Sequence, residues 1–407
     1  MSAVDRMSPA ELRASLGLAG LFGLRMFGMF VILPVFAIYA GEHLAGGNNL
    51  ALVGVAIGAY GFTQAILQIP FGWLSDRYGR KPVIYCGLVA FAVGSFVAAL
   101  GGSIYVVIFG RMLQGVGAIS AAVIALLADL TRDRHRVKAM AMIGSTIGAT
   151  FAVSLVVSPW LNGLIGVPGI FVLTGVLALA AIGIVHVLVP DPPSRIAARD
   201  GADAAGFGAV LRNAQLARLN FGILALQAVL MAQFVLVPLA LRQVGLAVDH
   251  HWQVYLPVMF GSFVLMLPAI LIAERRGRIR AVFLGSILLL LCGQFAMPWL
   301  LGGVREIALF LLIFFTAFNV LEALLPSLVS KLAPASAKGS AIGVYSSVQF
   351  LGTFIGAASG GFLYQHFGPR GVFAFDAVML AAWWLVALGM RVPEPEMQPA
   401  ARATIER

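Results

Sequence analysis

Long apolar runs, each near the length of a bilayer crossing, constrain this 407-residue chain more than any other feature. A membrane-spanning helix needs roughly 20 mostly apolar residues. About twelve such runs succeed one another, near residues 15–40, 50–73, 82–101, 104–129, 139–162, 168–189, 216–241, 252–273, 281–300, 305–330, 339–365 and 371–390. Lipid offers the backbone no hydrogen-bonding partner, so only helices and closed barrels cross it. Barrel strands read as short alternating segments, whereas these runs are unbroken. The pattern predicts an all-α polytopic membrane protein with about 12 transmembrane helices. Only 11% of the residues are charged, against about 25% in soluble domains, which excludes an ordinary soluble protein. The 46 glycines suit helix contact in lipid, where small residues let backbones approach.

The net charge of +10 raises the question of nucleic acid or another acidic partner, and its distribution answers it. Counted from a cytoplasmic N-terminus, 22 of the 27 Lys and Arg residues fall in loops and termini of that side. Arg242, Arg305 and Arg370 fall on the other side, and Arg25 and Arg111 lie within the runs. Such a bias is the orientation signal of the positive-inside rule, spread over short loops rather than gathered into a nucleic-acid stripe. Both termini are expected on the cytoplasmic side of the inner membrane. The first run is too long for a signal-peptide core, so it is expected as an uncleaved helix of a chain beginning near Met1. Cys86 and Cys292 both lie in apolar runs, without a disulfide framework or metal-ligand spacing.

The longest polar stretch, residues 190–218, has the Pro, Asp and Arg content of a linker. It divides the chain into a six-helix half at 1–189, a cytoplasmic linker at 190–215, a second six-helix half at 216–391 and a short tail at 392–407. Residues 67–80 align with 265–278 at an offset of 198: Pro70 with Pro268, Asp76 with Glu274, Arg77 with Arg275, Gly79 with Gly277 and Arg80 with Arg278. A shared Pro, acid, Arg, Gly, Arg order in corresponding loops marks a duplicated unit. Parallel repeats about an axis along the membrane normal suit an alternating-access carrier.

Gly72-Trp73-Leu74-Ser75-Asp76-Arg77-Tyr78-Gly79-Arg80-Lys81, between the second and third runs, resembles the signature loop of the major facilitator superfamily. Arg111-Met112-Leu113-Gln114-Gly115-Val116-Gly117-Ala118 resembles the second motif of that family. Leu24-Arg25-Met26-Phe27-Gly28-Met29-Phe30, Asp129-Leu130-Thr131-Arg132 and the stretch from Asn319 to Leu328 are similar to the YajR-type branch of its drug:proton antiporter group. In the fifth run the group usually carries Gly-Pro, and here Ser158-Pro159 stands in its place. The resemblance implies two pseudo-symmetric halves and proton-coupled export. It also implies a conformational latch built from Gly72, Asp76, Arg77, Gly79, Arg80, Lys81 and Asp129. Glu274, Arg275, Gly277 and Arg278 form its second-half counterpart. Family geometry would bring Asp76 to residues 339–341, where a helix N-terminus favours a carboxylate, and would pair Arg80 with Asp129.

Ionisable side chains inside spans are costly and mark functional positions. Glu322, beside Asn319 and before Pro326, is a candidate proton acceptor, or a structural partner of a neighbouring helix; burial disfavours a bare carboxylate. Arg111 falls on the family position implicated in proton coupling, and Arg25 needs an acid, carbonyl or anionic substrate, with Glu322 one candidate. The first run, 15–40, holds no acid, which shifts proton binding to the second half. Phe30, Tyr60, Gln64, Gln114, Asn220, Gln227, Asn319, Tyr345 and Gln349 are candidates to line a substrate cavity. Asp376 reads as structural, and His250-His251 has no companion ligands for a metal. The chain lacks a phosphate-binding Gly-rich loop ending in Lys and a nucleophile constellation, so neither ATP hydrolysis nor enzymatic activity is expected. No catalytic residue, metal or cofactor is expected; the proton gradient supplies the energy.

The function expected is a monomeric, proton-coupled exporter of small hydrophobic or amphipathic molecules; an importer of a sugar, organic acid or other metabolite is the alternative. The charge pattern makes one further prediction. Alkaline phosphatase fused after residue 246 should be active, and the same fusion after residue 391 inactive. The reverse result would overturn the orientation.

Overall fold

The computed structural model describes residues 7–191, 208–300, 302–334 and 337–391, and every crossing in it is helical. The expected tail at 392–407 and most of the expected linker, with Arg6, Arg195, Arg199, Arg402 and Arg407, lie outside the described residues. In chain order the helices are α1 (Pro9–Phe30), α2 (Leu33–His43), α3 (Leu50–Tyr78), α4 (Arg80–Ala99), α5 (Ile104–Val116), α6 (Ser120–Leu130) and α7 (Asp133–Leu188). They continue as α8 (Ala214–Gln243), α9 (Trp252–Arg275), α10 (Ile279–Leu300), α11 (Val304–Leu332) and α12 (Lys338–Leu388).

Ten helical stretches among the described residues are long and apolar enough to cross a bilayer. Two of them are too long for a single crossing. α7 has 56 residues and α12 has 51; at 1.5 Å per residue these would run about 84 and 77 Å, against a hydrocarbon core of about 30 Å. Each doubles back at a glycine in the left-handed region, Gly166 (φ 66°) and Gly368 (φ 64°), with Pro168 and Pro369 close behind. The two reversals bring the crossings to twelve. α1 with α2, and α5 with α6, are the opposite case: each pair is one crossing interrupted midway, before Pro34 in the first and at Gly117 in the second.

The halves share their corners. The six positive-φ glycines of the described residues pair as Gly46 with Gly245, Gly79 with Gly277 and Gly166 with Gly368, at spacings of 199, 198 and 202 residues. The Gly79 and Gly277 corners lie at the end that carries the basic loops. The other four lie at the opposite, far end.

Helix contact is closest along glycine faces of α12. Gly352, Gly356 and Gly360, spaced as small-xxx-small, lie against the backbone of α8 at Leu224, Ala228 and Ala232. Gly361 lies against Gly54 of α3, while Gly58 and Gly61 of α3 meet the backbone of Phe354 and Phe350. The second set of contacts joins the two halves, and it occupies only the far-end portion of α3. Toward the basic end, a side-chain carbon placed on Gly339, Gly343, Gly144 or Gly148 would meet nothing within 4 Å.

Polar contacts follow the same division. At the far end Glu42 pairs with Arg242, Gln243 Nε2 donates to Tyr364 Oη at 3.0 Å, and the Ala51 N–H donates to Gln365 Oε1 at 3.0 Å. Phe151 of the first half meets Phe234, Phe315 and Phe318 of the second, with ring centroids 6.2, 5.9 and 6.3 Å away. At the basic end the polar contacts found among the described residues join groups of the same half, as Arg280 joins the Leu388 carbonyl at 2.6 Å in the second. Lys81 reaches Asp191 at 2.7 Å, and that ammonium holds the Asp191 carboxyl below the usual carboxylate range. The molecule is closed at the far end and parted at the basic end.

Replacing Gly54 by Ala drives a methyl into the Ala357 carbonyl. Overpacking of this kind costs about 1–3 kcal/mol, all of it charged to the far-end-closed conformation. In a Cys86→Ser, Cys292→Ser chain with Val237→Cys as reporter, Gly54→Ala should raise far-side labelling by an impermeant thiol reagent on the order of fivefold. Unchanged labelling would show that this seam does not hold the far end shut.

Candidate functional site

Two buried polar clusters flank the middle of the molecule, one in each half. The first is built around Tyr60 on α3. Arg25 comes from α1, and its guanidinium donates to Ser120 Oγ at 2.8 Å, Tyr60 Oη at 2.6 Å and Gln64 Oε1 at 2.5 Å. Ser120 is the first residue of α6, so the interruption after Gly117 places its hydroxyl at a helix start facing Arg25. Irregular backbone at membrane depth is tolerated where protein buries it.

Arg111, from α5, approaches Tyr60 from another side. It donates to the Ala56 and Ile57 carbonyls at 3.4 and 3.1 Å and to Gln114 Oε1 at 3.0 Å. Gln114 in turn donates to Ser95 Oγ at 2.8 Å. The two guanidinium carbons lie 5.9 and 5.4 Å from the Tyr60 ring centroid, within cation–π range. Two buried cations are therefore held by a ring face, carbonyls, amides and hydroxyls, and the partners recorded for them include no carboxylate. Burying an ion costs several kcal/mol unless its donors are satisfied, and this network supplies acceptors for all but the Arg25 Nε.

The second cluster centres on Glu322 of α11, which is half-buried. Its Oε2 accepts from Gln227 Nε2 of α8 and its Oε1 from Gln349 Nε2 of α12, both at 3.2 Å. One turn back, Asn319 Nδ2 donates to Ser262 Oγ of α9 at 3.1 Å. Tyr345 is buried nearby on α12 with no partner for its hydroxyl. Tyr60 joins the two sides, its ring 6.1 Å from that of Phe350.

Several sequence expectations are revised by this geometry. Arg25 braces neither Glu322 nor a carbonyl; its partners all lie in its own half, because the α5–α6 break presents Ser120 to it. Gln64 and Gln114 are fully buried and serve as ligands of the arginines rather than as cavity lining. Phe30 packs edge-on against Phe151, centroids 4.9 Å apart, and Asn220 is half-buried on α8.

The loop between α3 and α4 keeps part of the expected latch. Arg80 donates to Asp129 at 3.2 Å and to Ser75 Oγ at 2.7 Å. Asp76 does not reach residues 339–341 in this conformation; it pairs with Arg80 at 2.5 Å and its side chain is 56% exposed. The parted basic end removes α12 from its reach. Arg77 rests over the Trp73 ring at 5.5 Å. In the second half Glu274, Arg275, Gly277 and Arg278 are exposed at the end of α9.

Sequence reasoning missed the tie between Glu11 and Arg132, in which Arg132 Nε and NH2 donate to the two carboxylate oxygens at 2.8 and 2.7 Å. The Ser8-x-x-Glu11 capping box was a legible signal for the start of α1, but nothing local joined Glu11 to Arg132. Glu42 and Arg242 were missed as a pair, since nothing in sequence joins two residues 200 apart. Among the described residues no group of three or more His, Cys, Asp or Glu side chains is placed to hold a metal ion.

Comparison with known proteins bears on the whole chain. Residues 18–270 and 251–406 match the Major Facilitator Superfamily. The chain is 44% identical over 389 residues to the inner membrane transport protein YajR of Escherichia coli (strain K12), covering 95% of this chain and 85% of that protein. It is 24% identical over 344 residues to the multidrug resistance protein MdtH of Aeromonas hydrophila, covering 84% and 85% of the two. In fold it is similar to a bacterial homolog of the human lysosomal transporter Spinster, solved inward-facing and occupied, with a TM-score of 0.73 over 95% of this chain and 98% of that one, at 14% identity. Twelve helical crossings in two related halves, the signature loop after α3 and the family match agree, and the chain belongs to the major facilitator superfamily.

Proposed function

We propose that this secondary transporter is a proton-coupled exporter of small hydrophobic or amphipathic compounds, in which Glu322 binds the proton. The setting of Glu322 carries the reading: a half-buried carboxyl in the second half, held among the described residues by the amides of Gln227 and Gln349. Burying a bare carboxylate is costly, and among the described residues no cation is paired with Glu322, so its site suits a carboxyl group that changes its charge. Gln227 and Gln349 come from α8 and α12, so a change of charge at Glu322 is felt by two helices that also shape the cleft. The likeness to a multidrug resistance protein supports an apolar cargo, as do Phe30, Phe151 and Phe318 around the middle of the molecule.

The remaining assignments follow from this reading. The basic end faces the cytoplasm under the positive-inside rule, so the conformation is inward-facing, with Asp76 released from residues 339–341 and ready to close the latch in the outward-facing state. The halves run over 1–189 and 216–391, joined by the linker at 190–215, and the protein acts as a monomer. One proton moving inward contributes about 2.3 kcal/mol per 100 mV, enough to concentrate a solute outward without ATP.

The test uses proteoliposomes and a cargo identified by ligand-dependent thermal shift from a panel of amphipathic dyes. Glu322→Gln should lose pH-gradient-driven transport by about 5- to 150-fold, the range of a 1–3 kcal/mol coupling, while equilibrium exchange of labelled for unlabelled cargo continues. Retention of full gradient-driven transport would remove Glu322 from the mechanism. Proton movement in the same direction as the cargo would make the protein an importer.

A further inference from the structure

Asp376 lies in the last leg of α12, is 0% exposed and belongs to neither cluster described above. Its Oδ2 accepts from Gln233 Nε2 of α8 at 2.7 Å, and the same nitrogen donates to Gln294 Oε1 of α10 at 3.1 Å. Neither Asp376 Oδ1 nor Gln233 Oε1 has a hydrogen-bond partner. Both orphaned atoms are acceptors, and they sit on two side chains already joined by a short bond.

Among the described residues the surroundings offer no counter-charge. α8 and α10 present Gln233 and Gln294. α11 presents Phe310, packed on Phe373 at 6.1 Å, and its nearest charged residues, Arg305 and Glu306, are exposed at its start. α9 contributes Tyr255, which lines a small apolar cavity with Gln233, and His251 follows it at 6.3 Å with Nε2 on the Leu246 carbonyl. Among the described residues no ion pair reaches Asp376. An unpaired buried carboxylate is strongly disfavoured, and so are two buried acceptors left without donors.

One proton resolves both. Placed on Oδ1, it is donated to Gln233 Oε1 while Gln233 Nε2 donates back to Oδ2, closing an acid–amide ring. A metal cation fits less well, because the next unpartnered atom is Gln294 Nε2, a donor. We propose that Asp376 is a second proton-binding site, distinct from Glu322, occupied in the far-end-closed conformation through its ring with Gln233. The ring ties the last leg of α12 to α8 beside Phe234, which closes onto Phe151 across the halves, so proton occupancy is linked to that closure. The assignment stands whether or not Glu322 couples transport.

The test is infrared spectroscopy of the whole protein in lipid nanodiscs at neutral pH, with and without carboxyl-13C aspartate. A carboxylic-acid carbonyl band that shifts with the label, persists in Glu322→Gln and vanishes in Asp376→Asn is the expected result. Asp376→Asn rebuilds the ring as an amide–amide pair and should keep the wild-type unfolding temperature, whereas Asp376→Leu should lower it. Absence of a labelled aspartic-acid band from the wild-type protein overturns the proposal without reliance on any variant. So does a band that survives Asp376→Asn. A sodium-dependent rise in unfolding temperature confined to proteins with Asp376 would make the site a cation site instead.

Discussion

In a bilayer, apolar side chains gain nothing by leaving lipid for a neighbouring helix, so association depends on how closely two backbones approach. Here that approach is concentrated on the first leg of α12. One glycine face lies on α8 within the same half, and Gly361 lies on Gly54 of the other half. On α12 both contacts use the same stretch, Gly352, Gly356 and Gly360 toward α8 and Phe350, Phe354, Ala357 and Gly361 toward α3; it is on α3 that the interhalf contact is confined to the far-end portion. Because the interhalf contact reaches only Gly54 to Gly61 of α3, the halves are joined toward the far end and separable toward the basic end, the arrangement that rocking of two rigid halves requires.

The buried charges show how differently a low-dielectric interior treats cations and acids. Arg25 and Arg111 keep their charge by using a ring face, carbonyls, amides and hydroxyls, all from the first half. Arginine suits this because its planar, always-charged group spreads several donors over fixed directions. Glu322 and Asp376 are held instead by glutamine amides, partners that serve a carboxylate and a carboxylic acid alike. The arginines keep a fixed charge, whereas the amides beside the acids can bond either state of a carboxyl group. Both halves thus contribute to the polar interior, and the buried first-half carboxylate Glu11 differs from these two acids in being paired with an arginine, Arg132.

Much of the fold was legible in the chain because each crossing announces itself locally. A run of about twenty apolar residues bounded by Arg, Gly or Pro carries its own boundary signal. The repeat of Pro, acid, Arg, Gly, Arg at 198 residues likewise exposed the duplication, and the matching positive-φ corners at Gly79 and Gly277 give its physical basis. The site was legible only in part. Glu322, Arg25 and Arg111 stood out because charge inside an apolar run is conspicuous. Their partners Tyr60, Gln64, Gln114, Gln227 and Gln349 stood out only as polar residues of a cavity, and Ser120 not at all, since a serine is commonplace in sequence.

The sequence by itself determined the class of molecule, the number of crossings, the duplicated plan and which ionisable groups lie inside the apolar runs, because all of these follow from the order of apolar and charged residues along one dimension. Only the tertiary structure decided that Arg25 turns to Ser120 and not to Glu322, that Asp76 stands free of α12, and that Asp376 meets Gln233. Those outcomes depend on which helices lie side by side and at which end they part. That is set by glycine contacts between segments far apart in the chain, where no local signal records the neighbour.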